Sequence, residues 1–394
     1  MWGKSTSNSM YLVKTVAQNY KPEPRLLDLM ESFRQMVNHS IAIGLETKRT
    51  SLKSLSIVSY DRLKEFKTDS RYRLCAISRA AGILRNYNNL SKKHRVSTPY
   101  CRRTGLTICY RVKLNNVGEL SLPGGFNIPL NKHVLQALSE PGLKLRSATL
   151  TESTLNIAYS KERPTVECRG LIGVDKNLYN VTAADSLGNI LVYDTARVVA
   201  VKTAAKQTVA RFKRDDSRIR RRIASKYGRI QNHRTQWLLH NTSKRLVNHA
   251  STNRLGIVLE NINGIRRLYR KGNGQGREYR GRLNAWSFYE LDHQIFYKAS
   301  WNGLPVIRVN PKGASSKCSV CGDRMVFSKE SRILHCPTCG TDVDRDVNAA
   351  RNILSAGLRF SPEGLSVEAV KGNPSTMVIP GVDDSQPSQT EAQQ

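Results

Sequence analysis

The chain has 394 residues, with 63 Lys and Arg against 31 Asp and Glu and a formal net charge of +32. An excess of that size excludes a neutral binding surface and asks for a polyanion; with no run of about 18 apolar residues and no secretory h-region, nucleic acid is expected and membrane is not. An apolar share of 39% is enough for folded cores, and the length fits two or three domains.

Met10–Val16 is β-like. After Pro22 and Pro24, Leu26, Leu29, Met30, Phe33, Met36, Val37 and Ile41 recur at spacings of three and four, which predicts a helix. Further helical stretches are expected over Tyr60–Phe66 and Leu74–Leu90, among dense bases such as Arg71, Arg79, Arg85 and Lys92. From Thr104 the pattern changes to short strands at Leu106–Leu114, Glu119–Leu122, Leu143–Leu150 and Ser153–Tyr159, with Pro123-Gly-Gly125 as a turn. A strand, a helical stretch and more strands predict a small β-barrel (1–24 and 100–165) interrupted by a helical insertion (25–99).

A second unit opens near Arg169. Gly170–Asp175 is an apolar strand ending in an acid, and Asn189–Tyr193 is expected to follow it in a meander. Thr203–Ala250 is a long basic helical region. Fourteen Lys and Arg lie between Lys202 and Arg245, opposed only by Asp215 and Asp216. A run so nearly of one sign repels itself unless a polyanion lies along it, so Arg218, Arg220, Arg221, Arg222 and Lys226 are candidate phosphate contacts; a merely solvated face is the plainer alternative. Leu255–Glu260 is another apolar strand ending in an acid. Lys271–Gly276 is glycine-rich but lacks the following Lys-Ser/Thr of a phosphate-binding loop, so it reads as a connector. A helix over Trp286–Trp301 and a strand over Val306–Val309 come next, and the Pro-, Ser- and Gln-rich tail 361–394 is expected to be disordered.

Of eight cysteines, Cys75, Cys101, Cys109 and Cys168 are scattered and read as isolated thiols. Cys318 and Cys321 form one C-x-x-C pair and Cys336 and Cys339 another. With no signal peptide the compartment is expected to be reducing, so these pairs point to metal rather than disulfides. Four thiolates close a tetrahedral shell around one Zn²⁺ and leave no position for water, which makes the ion structural. Gly322 and Gly340 follow each pair where a tight turn needs backbone freedom. His335 is a bystander. A ribbon this small has almost no core, so zinc binding is its folding energy.

Asp175 and Glu260 each end a strand that is otherwise apolar, where a lone carboxylate is costly to bury unless it is paired or holds a cation. Asp344 and Asp346 open a helix at Asn348–Leu354, where the dipole favours acids in any case. Taken singly each acid has a structural explanation: a turn cap for Asp175, a pair with Arg266 for Glu260, the helix start for the last two. Together they could meet at one pole of a sheet and hold two Mg²⁺ or Mn²⁺ ions about 4 Å apart, the arrangement that phosphodiester hydrolysis uses.

In this order the motifs resemble the TnpB family of transposon-encoded RNA-guided nucleases and the related type V CRISPR effectors, over roughly residues 170–354. Gly173-Val-Asp175 is similar to the first nuclease motif, Val258-Leu-Glu260 to the second, and the ribbon with Asp344-Arg-Asp-Val-Asn-Ala-Ala-Arg-Asn-Ile353 to the third. Tyr297-Lys-Ala, Gly303 and Val309-Asn-Pro311 are also similar. Lys176-Asn177 departs from the glycine common after the first aspartate, and Ala314 from a threonine common before the first knuckle. Residues 1–165 carry no motif that aligns.

The resemblance implies an α/β, RNase H-like (RuvC) nuclease core over 166–312 and 341–360, with a zinc ribbon inserted at 313–340. It implies that Asp175, Glu260 and Asp346 bind two Mg²⁺ or Mn²⁺ ions, with Asp344 as runner-up for the third acid. It also implies a guide RNA and a double-stranded DNA target beside a short flanking motif, one site cutting both strands, one protein per RNA, and a prokaryotic cytoplasmic, nucleoid-associated setting. A compact CRISPR effector, a non-catalytic zinc-ribbon regulator and a strand-transferring transposase remain as alternatives.

Overall fold

In the computed structural model the described residues are 11–212, 216–262, 274, 276–327, 332–359 and 376–379. Most of the expected tail, Arg266, most of the loop 271–276, and Lys213, Arg214 and Asp215 lie outside them. The chain divides into two compact units, Met1–Glu162 and Arg163–Gln394. No helix among the described residues is long and apolar enough to cross a membrane.

In the first unit β1 (Tyr11–Asn19) leads into α1 (Pro24–Glu46), α2 (Leu52–Ser59), a 3-10 turn at Arg62–Phe66 and α3 (Ser70–Ser91). Pro24 starts α1, where its missing N–H costs nothing. The apolar periodicity is realised as burial: Leu26, Met30, Phe33, Met36, Val37 and Ile41 are buried, whereas Leu29 is half-buried. β2 (Leu106–Ile108), β3 (Lys113–Leu114), β4 (Glu119–Leu122), β5 (Phe126–Pro129), α4 (Lys132–Leu138), β6 (Lys144–Leu150) and β7 (Thr154–Glu162) follow. Backbone pairing arranges these strands as an antiparallel sheet β1-β7-β6-β2 and a second one β3-β4-β5. The helical insertion is present between β1 and β2. The barrel takes the form of two separate ladders instead of one ring.

The second unit is built on a six-stranded mixed sheet. Its elements are β8 (Gly170–Lys176), β9 (Asn180–Asp185), β10 (Ile190–Asp194), α5 (Ala196–Ala210), α6 (Ser217–Thr252), β11 (Leu255–Glu260), α7 (Arg277–Ala285), α8 (Phe288–Trp301), β12 (Val306–Val309), β13 (Val326–Phe327), β14 (Ile333–His335), β15 (Asp342–Asp344), α9 (Arg345–Arg359) and β16 (Thr376–Ile379). The order is β12-β11-β8-β9-β10-β16. β8, β9 and β10 form an antiparallel meander, and β11 and β12 add in parallel on the other side of β8. β8 is thus central and buried along its whole length.

Helices cover both faces of this sheet. Ile172, Val174, Ile257 and Leu259 pack with Leu239, Leu246 and Val247 of α6 and Leu291, Ile295 and Ala299 of α8. Residues of opposite parity, Leu171 and Val258, pack with Ile353 and Leu354 of α9. Two glycines let α9 approach closely. A Cβ on Gly173 would stand 2.4 Å from the Leu354 nitrogen and 2.5 Å from the Ala350 carbonyl oxygen; one on Gly357 would meet Val258 at 2.3 Å.

The basic helical region expected as one run is two helices, α5 and α6. Of α6, the buried residues are Thr235, Leu239, Thr242, Ser243, Leu246, Val247 and Ala250. Its first half, residues 217–234, has none.

Candidate active site and metal ribbon

Strand alternation decides which acids can meet. Asp175 shares its parity on β8 with Leu171 and Gly173, and Glu260 shares its parity on β11 with Val258; both therefore stand on the face that α9 covers. β8 and β11 are parallel neighbours in the register Leu259↔Val174, so Glu260 and Asp175 come one step beyond, side by side. Asp346 lies in the first turn of α9, one turn before Ala350, the residue that rests on Gly173. All three acids line a single cavity of about 930 Å³. Asp175 is 7% exposed and Asp346 3%.

The electrostatics agree with convergence. Burial, and then the neighbouring Glu260 carboxylate, push the Asp175 pKa up to about 7, with Asp346 adding to the rise and a 2.6 Å hydrogen bond from Asn177 Nδ2 opposing it. Burial also raises Glu260, and the Lys176 ammonium pulls it back. Lys176 has the opposite parity from Asp175. Its Nζ donates to Asp292 Oδ1 of α8 at 2.8 Å, and Arg308 Nη1 reaches Asp292 Oδ2 at 2.6 Å. A buried cation therefore sits beneath the acids with its own counter-ion.

Asp344 has a different task. Its Oδ1 accepts the backbone N–H of Asp346 at 2.8 Å and of Val347 at 3.2 Å, capping α9, and it is absent from the cavity wall. Asp346 Oδ2 accepts Asn180 Nδ2 at 3.0 Å and is paired with the Arg332 guanidinium.

Asn180 escaped the sequence reading. It lines the cavity, and its Oδ1 is buried with no hydrogen-bond partner. An orphaned buried oxygen beside three carboxylates is a set of hard donors, and no Cys or His is among the described residues of the wall, so the chemistry suits Mg²⁺ or Mn²⁺. Among the described residues the carboxylates do not form a cluster as tight as that of the four cysteines.

The sulfurs of Cys318, Cys321, Cys336 and Cys339 lie within 4.8 Å of one another. The Cys318–Cys339 and Cys321–Cys336 pairs are 3.6 and 3.4 Å apart. A tetrahedron with Zn–S bonds of about 2.3 Å has edges of roughly 3.8 Å, so one Zn²⁺ fits. Each knuckle closes on itself: Gly322 N–H donates to the Cys318 carbonyl at 3.0 Å and Gly340 N–H to that of Cys336 at 2.9 Å. Those glycines have φ of 87° and 68°, which only glycine adopts at little cost. His335 bonds Asp342 at 2.9 Å and stays outside the thiolate cluster. The three-stranded sheet β13-β14-β15 completes the ribbon.

The ribbon also braces α9. Asn348 Nδ2 donates to the Lys317 carbonyl at 2.7 Å, Asn348 Oδ1 accepts Ser319 N–H at 2.9 Å, and Asn352 Nδ2 reaches the Ala314 and Lys317 carbonyls at 2.8 and 2.7 Å. The first knuckle is thereby tied to the helix that presents Asp346.

The candidate phosphate contacts Arg218, Arg221, Arg222 and Lys226 are exposed on α6, and Arg220 is partly so. Neither Asp nor Glu occurs anywhere along the 36 residues of α6.

The chain is similar to known proteins in sequence and in fold. The family profile described as Cas12f1-like, TNB domain, matches residues 288–353. A TnpB-like protein of Methanocaldococcus jannaschii is 26% identical over 235 residues, 57% of this chain and 82% of that one. The CRISPR-associated endodeoxyribonuclease Cas12f1 of Sulfoacidibacillus thermotolerans is 39% identical over 72 residues, 18% of this chain and 17% of its own length. The putative RNA-guided DNA endonuclease InsQ of Escherichia coli is 34% identical over 98 residues, 23% of this chain and 24% of its own. These last two alignments span a quarter or less of each relative. A solved complex of Cas12f1 with single-guide RNA and target DNA shares the fold, with a TM-score of 0.50 at 13% identity, covering 84% of this chain and 82% of that one. The chain is thus similar to a TnpB-like protein along most of that protein's length, to Cas12f1 in the segment that holds its ribbon, and to Cas12f1 in fold.

Proposed function

We propose that this protein is an RNA-guided DNA endonuclease in which Asp175, Glu260 and Asp346, with the Asn180 oxygen beside them, hold two Mg²⁺ or Mn²⁺ ions. The observation that supports it most is the meeting of Asp175 and Glu260, on adjacent strands of an RNase H-like order, with Asp346 in one cavity of oxygen donors. Bound divalent ions would activate a water and stabilise the leaving oxygen. The chain's own residues do the rest. Lys176, held by Asp292, keeps positive charge beneath the acids, and Lys312, Arg332 and Arg345 in the cavity wall meet the phosphodiester backbone. The four thiolates would hold one Zn²⁺ that keeps the ribbon folded against Asn348 and Asn352 of α9 and supplies no chemistry to the cut.

The relatives named RNA-guided DNA endonucleases support a guide RNA paired with one strand of a DNA duplex. The first unit would read a short motif flanking the target, and α6 would follow a phosphate backbone with Arg218, Arg220, Arg221, Arg222 and Lys226. The protein is taken to act as one copy per RNA and to cut both strands with its single site.

Copurified RNA, sequenced and used to program a matching duplex, tests this. Cutting that needs the RNA, the match and Mg²⁺, and that disappears in Asp175→Ala and Glu260→Ala while binding persists, is the expected result. Binding lost along with cutting would make those acids structural. A second reading, a compact type V CRISPR effector, is favoured by the Cas12f1-like match over residues 288–353. RNA that maps to a repeat array, not to the edge of a mobile element, would select it.

A further inference from the structure

A helix face turned to solvent is ordinarily polar. The outward face of α8 is aromatic. Tyr289, His293 and Tyr297 recur every fourth residue; the rings of Tyr289 and His293 are parallel within 9° with centroids 6.1 Å apart, and His293 and Tyr297 follow at 5.7 Å. Tyr289 is 80% exposed. The Tyr297 hydroxyl meets His240 Nδ1 of α6 at 3.3 Å, and one turn before His240 on the same helix Trp237 is 45% exposed. The core does not need the Tyr289 and His293 rings, because the inward face of α8 already buries Leu291, Ile295 and Ala299.

The surroundings indicate what the rings meet. α6 has no acid along its length, so the rings border a purely basic helix. Of the two acids on α8, Glu290 accepts Gln294 Nε2 at 3.0 Å and Asp292 is buried against Lys176 and Arg308. The ladder starts beside Phe288, which lines the acid cavity. Tyr289 and His293 are exposed, Tyr297 is partly exposed and tilted 56° from His293, and such rings beside a basic helix are what unpaired nucleobases stack on, since every base has a π face while its phosphate seeks positive charge. A protein partner would not need the acid-free neighbour.

We propose that Tyr289, His293 and Tyr297 of α8, with Trp237 of α6, form a stacking platform for the unpaired bases of a single nucleic-acid strand adjoining the acid cavity. It rests on the nucleic-acid reading above and adds a site to it. DNA and RNA strands share the recognised chemistry, and the sugar decides which is preferred.

The test uses the full chain with dye-labelled oligo(dT) and oligo(rU), read by anisotropy across a salt series and by tryptophan emission. Trp286 and Trp301 are buried, so quenching on binding reports Trp237 among the described tryptophans. Trp237→Ala/Tyr289→Ala is expected to weaken binding of at least one oligonucleotide by about tenfold or more, with an unchanged salt slope, because stacking releases no counter-ions. Trp237→Phe should keep the affinity and lose the quenching. Melting curves check that each variant folds, and His293→Ala serves in place of a double variant that does not. Wild-type affinity in the folded double variant overturns the platform while leaving the nuclease proposal standing. Equal strand affinity with a shift from dimer to monomer in sedimentation overturns it in favour of self-association. A wild-type chain that binds neither strand removes the nucleic-acid reading itself.

Discussion

Gly173 lies so close beneath Leu354 that a Cβ on it would stand 2.4 Å from the Leu354 backbone nitrogen. The atoms in the way are backbone, so they cannot rotate aside as a side chain would. Gly173→Ala must lift α9 from β8 and carry Asp346 away from Asp175. Overpacking of this kind costs about 1–3 kcal/mol. The expected outcome is a lowered melting temperature with cleavage abolished and polyanion binding kept; normal cleavage would show that α9 need not touch β8.

Asp344 and Asp346 should separate cleanly by variant. Asp344→Ala removes a helix cap and costs about 1 kcal/mol of stability, with cutting retained at a temperature well below melting. Asp346→Asn leaves the fold intact and lowers the cutting rate by about a thousandfold, equivalent to roughly 4 kcal/mol of barrier. Single-turnover rates and urea titrations together distinguish them, and the reverse pattern would exchange their roles.

The raised Asp175 pKa makes a statement about stability without divalent ions. In the unfolded chain this carboxyl loses its proton near its ordinary value of 3.8; in the folded chain it keeps it to about 7. Between those values the folded state binds the extra proton, so stability must fall as pH rises through that window. Urea midpoints in Mg²⁺-free buffer should decline from pH 4 to 7, and Asp175→Asn should flatten that decline. Added Mg²⁺ should remove it by stabilising the ionised form.

Cys318→Ser, or a strong chelator, is expected to remove the ribbon's zinc and loosen residues Ala314–Ser319 together with Asn348 and Asn352. Hydrogen exchange should rise at the first turns of α9, and cutting should fall although none of the three cavity acids is altered. Full zinc content in the variant would sink the four-thiolate assignment.

Replacing Arg218, Arg220, Arg221 and Arg222 by Gln leaves no buried group unpaired, so melting should change by little. Nucleic-acid affinity should drop, and the slope of log K against log salt should become shallower by up to about 0.9 for each phosphate no longer neutralised. An unchanged slope would return this stretch to an ordinary solvated surface.

Asp175, Glu260 and the four cysteines are legible in sequence for one reason: each contrasts with its surroundings, an acid after an apolar strand or a thiol pair at fixed spacing. The helix at Leu26–Ile41 and the strand at Val306–Val309 are legible by periodicity. Asp344 and Asp346 are not separable that way, because a helix cap and a cavity-lining acid are both carboxylates at a helix start. Asn180 gives no signal, since only the fold leaves its oxygen buried and unpartnered. α2 and α4 are too short for apolar spacing to declare them, and the two β ladders of the first unit depend on pairings as distant as Tyr11 with Glu162. The break between α5 and α6 falls at the one acidic interruption of the basic run, where Asp216 accepts the Arg218 and Ile219 backbone N–H groups and caps α6, a signal that basic composition alone does not weigh.

The leading half of α6 extends with no apolar residue buried beneath it, and each of its Lys and Arg side chains is a site for a trypsin-like protease. Under the proposed function a nucleic-acid strand lying along α6 would shield this arm, and chains made in excess over that strand would be the ones clipped there.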